Sequence, residues 1–144
     1  MKSPRQIFHL TSYAQYPFLL VGLFFCYRPL FTDLQALWVD MNLGLVFMGI
    51  GVSFSTLQDT TKTQNNFSKR IFQNPRYTRW FLILSIILVV FFMGLGIVGL
   101  VWVNSGPLHD LAYGFLSLGV GFVGLIKGAT EIAENLQRSP DRNA

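Results

Sequence analysis

The feature that most constrains this chain is an uncharged run from Trp80 to His109, of which Trp80 to Val103 reads as one apolar helix. A helix over those 24 residues measures about 36 Å. That length crosses a hydrocarbon core of roughly 30 Å. The charged fraction of 12% is about half that of soluble domains. These features predict a polytopic membrane protein, and they argue against a soluble domain or a disordered chain. Three further uncharged runs cover Gln6–Tyr27, Met41–Gln58 and Leu111–Ile126.

The sequence predicts an all-α fold of four transmembrane helices in two tandem hairpins. Pro29 ends or kinks the first helix by removing a backbone donor. Thr32 and Gln35 stand at capping-box spacing before the second helix. The expected helices are Tyr13–Arg28, Asp33–Leu57, Trp80–Val103 and a fourth from Pro107 or Leu108 to Lys127. We expect one membrane domain, 1–144, with a first hairpin at 13–57, a basic loop at 58–79, a second hairpin at 80–128 and a tail at 129–144.

The basic residues predict an orientation for this four-helix arrangement. Four spans place both chain ends and the middle loop on one side of the membrane. Ten of the 11 lysines and arginines lie on that side, and only Arg28 lies on the other. Because lysine and arginine are retained in cytoplasmic segments, both termini are expected in the cytoplasm. The expected location is the bacterial inner membrane, in a multi-pass topology.

One sequence pattern occurs in both the second and the fourth predicted helix. A shift of 70 residues lays the pattern D-x3-G-x4-G-x-G that begins at Asp40 on a copy that begins at Asp110. Because two helices separate the copies, both copies run in the same direction. This predicts a parallel 2+2 repeat of a helical hairpin. The alternative is chance, since glycine is common in membrane helices.

Small residues recur at helical spacing on one face of the second and of the fourth helix. Lipid gives helices little hydrophobic reason to associate, so small residues allow the close backbone approach that stabilises their packing. The face serves packing within one four-helix unit, or it forms a subunit interface or a groove that lines a path. The helix-packing residues are Gly44, Gly51, Gly114, Ser117, Gly121, Gly124 and Gly128.

Charged and polar residues near the outer end form a candidate ion or proton site. Asp40 is predicted about two turns inside the second helix, near Asn42, and a carboxylate within a span is a functional candidate. The alternative is a structural ion pair, because Arg28 can extend its side chain to Asp40. Asp110 is favoured at the start of the fourth helix by the helix dipole. With a true repeat, Asp40 and Asp110 are symmetry mates, with Arg28 and His109 close by.

The middle loop predicts contact with lipid headgroups. Phe67, Ile71 and Phe72 share one face of a short helix, which is typical of a segment at the membrane surface. Anionic headgroups on the cytoplasmic side are expected to bind Lys69, Arg70, Arg76 and Arg79. Since the topology accounts for the basic residues, we expect no nucleic-acid partner.

The sequence carries no motif for catalysis, and we expect no metal or cofactor. His9 and His109 fall on opposite sides of the predicted membrane, and Cys26 is the only cysteine, so neither a haem site nor a thiol relay is predicted. We expect a non-enzymatic subunit that associates with itself or with other membrane subunits through its glycine faces. The alternative is a small channel or an ion- or proton-coupled transporter with Asp40 and Asp110 on the path. A membrane enzyme acting on lipid is a weaker third hypothesis.

Overall fold

The long apolar segments of this chain are helical because a helix pairs the backbone N–H and C=O groups of its own segment, as lipid requires. The structure, a computed structural model, describes residues 10–32, 34–57, 71–72 and 74–138. The regular structure of these residues is entirely helical, which confirms the all-α fold for the described part of the chain. The helices are α1 (Gln15–Tyr27), α2 (Leu37–Ser55), α3 (Pro75–Val101), α4 (Pro107–Asp110) and α5 (Ala112–Arg138), with 3₁₀ turns at Arg28–Leu30 and Leu34–Ala36.

Three helical segments are long and apolar enough to cross a membrane, and they make this a multi-pass membrane protein. They are Leu34–Ser55, Pro75–Val101 and Ala112–Leu136. Helix α1 has 13 residues, short of the roughly 20 that a span needs. The physical reason is Pro17, which has no N–H to donate to the Tyr13 carbonyl. The Tyr16 N–H lies 3.2 Å from that carbonyl instead, in a tight turn at the start of α1.

Prolines lie at several helix boundaries. Helix α1 ends at Tyr27, and Pro29 lies in the 3₁₀ turn that follows, as predicted. Pro75 opens α3, earlier than predicted, and Pro107 opens α4, where its missing N–H costs no helical bond. Gly106 before Pro107 has a φ of 105°, which glycine adopts without steric cost.

The start of α2 differs from the prediction. The Thr32 hydroxyl donates to the Arg28 carbonyl at 3.0 Å, so it belongs to the turn after α1. Helix α2 begins at Leu37, and its N-cap residue Ala36 makes no side-chain cap bond. Thr32 is therefore not the N-cap residue of α2, which the 3₁₀ turn Leu34–Ala36 precedes.

The helices pack in a row in the order α1, α2, α5, α3. Helices α2 and α5 run in the same direction, because Asn42 contacts Gly114 and Val46 contacts Ser117. The α1–α2 and α3–α5 pairs are antiparallel. In the described part of the chain, α1 and α3 lie at the two ends of the row and have no extensive contact. The arrangement is thus two antiparallel pairs joined through α2 and α5.

Side chains are distributed as a membrane protein requires. The buried positions of α1, α2 and α3 are glycines and polar residues. Large apolar side chains point outwards: Leu20 is 67% exposed, Phe24 62% and Val90 67%. Such a surface aggregates in water but is solvated by lipid tails.

Candidate functional site

Polar and small residues of the two central helices meet along one line, which we call the α2–α5 seam. It comprises Asn42, Val46, Gly49, Gly114, Ser117 and Gly121. Because this contact joins the two antiparallel pairs, the seam determines how the whole unit is assembled.

Asn42 caps α5 from a different helix. Its side-chain oxygen accepts a hydrogen bond from the Gly114 backbone N–H at 2.7 Å. Gly114 lies in the first turn of α5, where N–H groups lack partners within the helix. The helix is interrupted between α4 and α5 at Leu111. A side chain that enters the helical hydrogen-bond ladder is an established cause of such interruptions. The predicted fourth helix therefore starts at Pro107 as expected but is interrupted beside Asn42.

The next turns of the seam bring the two backbones together. The Ser117 hydroxyl donates to the Val46 carbonyl of α2 at 3.0 Å. A Cβ added at Gly49 would overlap the Ser117 backbone, and one added at Gly121 would lie 2.7 Å from the Gly49 carbonyl oxygen. The close approach of the two helices requires glycine at these positions. The seam is closed here, because the two backbones leave no room for a side chain between them.

Arg28 and Asp40 form an ion pair between the turn that follows α1 and the start of α2. A guanidinium nitrogen of Arg28 lies 3.4 Å from a carboxylate oxygen of Asp40, with side-chain exposures of 46% and 7%. The 3₁₀ turn after α1 positions Arg28, and the first turn of α2 positions Asp40. A charge-assisted bond is usually about 2.7–2.9 Å, so this contact is a long one.

His109 and Asp110 form a separate, more exposed pair. His109 Nδ1 lies 3.6 Å from an Asp110 carboxylate oxygen, and the side chains are 43% and 39% exposed. Both residues lie in the short helix α4, which contacts α2. Within the described residues, no hydrogen bond or ion pair joins this pair to Arg28 or Asp40. The predicted cluster of four charged residues is therefore present as two pairs.

The glycines of the predicted packing face have different neighbours. Gly44 and Gly51 face α1, whereas Gly114, Gly121 and Gly124 face α2. Gly128 has no atom within 4 Å of an added Cβ among the described residues. Five further glycines make close contacts that were not predicted, although Gly49 and Gly119 belong to the repeated pattern and Gly96 and Gly99 lie at helical spacing. These are Gly22, Gly49, Gly96, Gly99 and Gly119.

A basic groove lies on one face of the first turns of α3. Its lining residues are Pro75, Arg76, Arg79, Trp80 and Ile83. Of the four basic residues predicted to bind headgroups, Arg76 and Arg79 share this groove, while Lys69 and Arg70 lie outside the described residues.

Phe72 differs from the prediction for the loop. It was expected on the lipid-facing side of an interfacial helix, but it is 7% exposed and packs against Ala129 and Ala133 of α5. The physical reason is the length of α5, which continues to Arg138 and offers small residues for the ring to cover. The other predicted aromatic residue of that face, Phe67, lies outside the described residues.

Among the described residues, no group of three or more histidine, cysteine or acidic side chains is placed to hold a metal ion. No protein family, no curated protein and no solved structure matches this chain. The assignment of a function therefore depends on the geometry of the chain itself.

Proposed function

We propose that the chain is a non-enzymatic membrane protein that crosses the bilayer four times, with both termini in the cytoplasm, and acts as a subunit of a membrane assembly. The closed α2–α5 seam carries the proposal. Its polar side chains are bonded to the backbone of the neighbouring helix, so their chemistry is used in holding the unit together. The lipid-facing surfaces are then the part of the molecule that meets other subunits or a second copy.

Three observations support four spans. Helical backbone and turns continue from Leu10 through α1 to the 3₁₀ turn that ends at Leu30, 21 residues in all, close to the roughly 20 that cross a bilayer. Helix α1 is also antiparallel to α2, as a preceding span would be. Ten of the 11 basic residues obey one orientation when four spans are counted.

Topology reporters test the orientation. We expect reporters fused after Gln64 and after Ala144 to read cytoplasmic, and one inserted near Ser105 to read external. A cytoplasmic reading near Ser105 contradicts the four-span arrangement.

Two glycines support the assembly role. Added Cβ atoms at Gly94 of α3 and Gly128 of α5 meet no atom of the described chain within 4 Å. Small residues at a lipid-facing position allow a neighbouring helix to approach closely. A second copy or another membrane subunit fits such positions.

Purification in mild detergent and cross-linking in native membranes test the assembly role. We expect a protein mass, after the bound detergent is subtracted, that is larger than the 16.3 kDa of one chain, and we expect Gly94→Leu to weaken this association while the chain stays folded. Val90→Leu on the exposed surface of the same helix is the matched control. A monomer without partners in both experiments contradicts the proposal.

A channel or an ion- or proton-coupled transporter is the second candidate, and the burial of Asp40 favours it. A carboxylate that is 7% exposed in a membrane segment is a frequent feature of ion and proton paths. The test is ion or proton flux in proteoliposomes. This candidate requires that Asp40→Asn abolish flux in a folded chain, whereas the subunit hypothesis expects no flux from the unchanged protein.

A further inference from the structure

We propose that the groove at the start of α3 is a defined site for one anionic phospholipid, whose phosphate lies between Arg76 and Arg79. The inference rests on the proposed orientation, because that orientation places the start of α3 at the cytoplasmic membrane surface. Unlike the general attraction of a basic loop to anionic lipid, such a site binds one lipid molecule through two particular side chains.

The two guanidinium groups are available for a ligand. Helix α3 contains no acidic residue. Within the described part of the chain, neither Arg76 nor Arg79 has an ion-pair or hydrogen-bond partner for its side chain. A guanidinium presents several N–H donors in one plane and matches the oxygens of a phosphate.

Hydrogen bonds at the start of α3 hold the backbone that carries these arginines in place. The Thr78 hydroxyl is buried and lies within 3.4 Å of the Ile71, Phe72 and Asn74 carbonyl oxygens, one of which accepts its single proton. The Asn74 side chain accepts from the Arg76 backbone N–H at 3.1 Å and caps the helix. The first turns of α3 are therefore held in place, and the arginines project from a fixed backbone.

The order of side chains along the groove matches the order of groups in a phospholipid. Arg76 and Arg79 come first, Trp80 follows with 67% exposure, and Ile83 lies one turn further towards the apolar part of α3. Tryptophan is favoured at headgroup depth, where its ring is partly apolar and its N–H is polar. The arrangement fits a phosphate, then a glycerol backbone, then an acyl chain.

Native mass spectrometry of the full chain in detergent, titrated with phosphatidylglycerol or phosphatidylcholine, tests the site. We expect the unchanged protein to retain one phosphatidylglycerol in preference to phosphatidylcholine. Arg76→Gln and Arg79→Gln should each weaken retention about fivefold, on the usual contribution of one basic residue at an anionic membrane surface. Trp80→Ala should also weaken it, although the net charge does not change.

Lys127→Gln is the matched control, because Lys127 is an exposed basic residue of α5 outside the groove. The proposal is overturned if the double arginine variant retains phosphatidylglycerol as well as the unchanged protein. It is also overturned if Lys127→Gln weakens retention as much as the arginine changes while Trp80→Ala has no effect, as diffuse attraction predicts. Displacement of the lipid by an equal concentration of inorganic phosphate overturns it too, since the groove would then bind a free anion.

Failure of the orientation and failure of the lipid site are separable. An external reading from the reporter after Gln64 contradicts the proposed function, whatever the lipid titration shows. A cytoplasmic reading with arginine-independent retention contradicts the lipid site alone.

Discussion

Helices α2 and α5 carry the same glycine pattern and lie side by side in the same direction, yet they use the pattern against different neighbours. Gly44 of α2 faces α1, whereas its equivalent Gly114 faces α2. Gly49 faces α5, whereas its equivalent Gly119 faces α3. Each central helix needs a small face towards each of its two neighbours, and the pattern supplies both faces. Two helices can therefore share a sequence pattern, lie side by side and run in the same direction, and still make contacts that are not equivalent.

The acidic residues that begin the two copies show the same divergence. Asp40 is nearly buried and pairs with an arginine from the end of α1, whereas Asp110 is about two-fifths exposed and pairs with its neighbour His109. The difference follows from the local structure, since Asp40 lies within the first turn of α2 and Asp110 ends the short helix α4. Equivalent positions in the sequence pattern thus have unequal surroundings.

The largest expected effect is at Gly121. Gly121→Leu forces a branched side chain towards the Gly49 carbonyl oxygen, which a Cβ alone would approach to 2.7 Å. Because a backbone group cannot rotate away, we expect a loss of about 3 kcal/mol or more in the free energy of unfolding. Val120→Leu, at a position that is 58% exposed, should change it little. Equal effects of the two changes in a thermal melt would show that the seam is not closely packed.

A smaller change tests the two copies against each other. Gly49→Ala places its Cβ against the Ser117 backbone, whereas Gly119→Ala meets the flexible Met93 side chain. We expect Gly49→Ala to destabilise the chain by about 2 kcal/mol and Gly119→Ala by clearly less, because Met93 can change rotamer. If alanine costs the same at both positions, the copies are more alike than their contacts indicate.

The ion pair predicts the next effect in size. Asp40→Asn leaves Arg28 without its charged partner, and we expect a loss of about 1 kcal/mol, since Arg28 is half exposed and solvent screens its charge. Arg28→Gln in the same chain should recover part of the loss. Asp110→Asn is the matched control and should change stability less. A double-mutant cycle with coupling below about 0.3 kcal/mol would assign Asp40 to a partner other than Arg28.

The sequence predicts the presence of helices, and the helix ends near proline, well. The reason is that the length of an apolar segment and the missing N–H of proline act locally. It predicts the contacts of side chains less well, because these depend on how each helix is rotated towards its neighbours. Pro29 and Pro107 lie at the boundaries expected of them. The shortening of α1 by Pro17 was missed because Pro17 lies within an apolar run.

The candidate site was predictable only in part. Asp40, Asn42 and Arg28 stand out in the sequence as costly polar residues in or near a span, and the structure places Arg28 just after α1 and the other two in the first two turns of α2. The cap that Asn42 makes on α5 was not predictable, because it depends on how two helices pack. The residues in contact across them are 71–72 positions apart in the chain. Asn42 also has no polar equivalent in the second copy, where Ala112 stands at the same place in the pattern.

The smallest expected effect separates the two hydrogen bonds of the seam. Asn42→Ala leaves the Gly114 N–H in the first turn of α5 without an acceptor, and we expect a loss of about 1 kcal/mol, as for other helix caps. Ser117→Ala removes a donor from the Val46 carbonyl, which a helix interior can still pair with its own N–H, so we expect about 0.6 kcal/mol, the usual contribution of such bonds in membranes. Asn42→Asp keeps the acceptor oxygen and should retain the cap in part. Thermal melts of the three variants, together with hydrogen exchange at Gly114, measure the difference. A cost at Ser117 that equals or exceeds the cost at Asn42, with unchanged exchange at Gly114, would show that Asn42 does not cap α5, because only the cap bond protects that particular N–H.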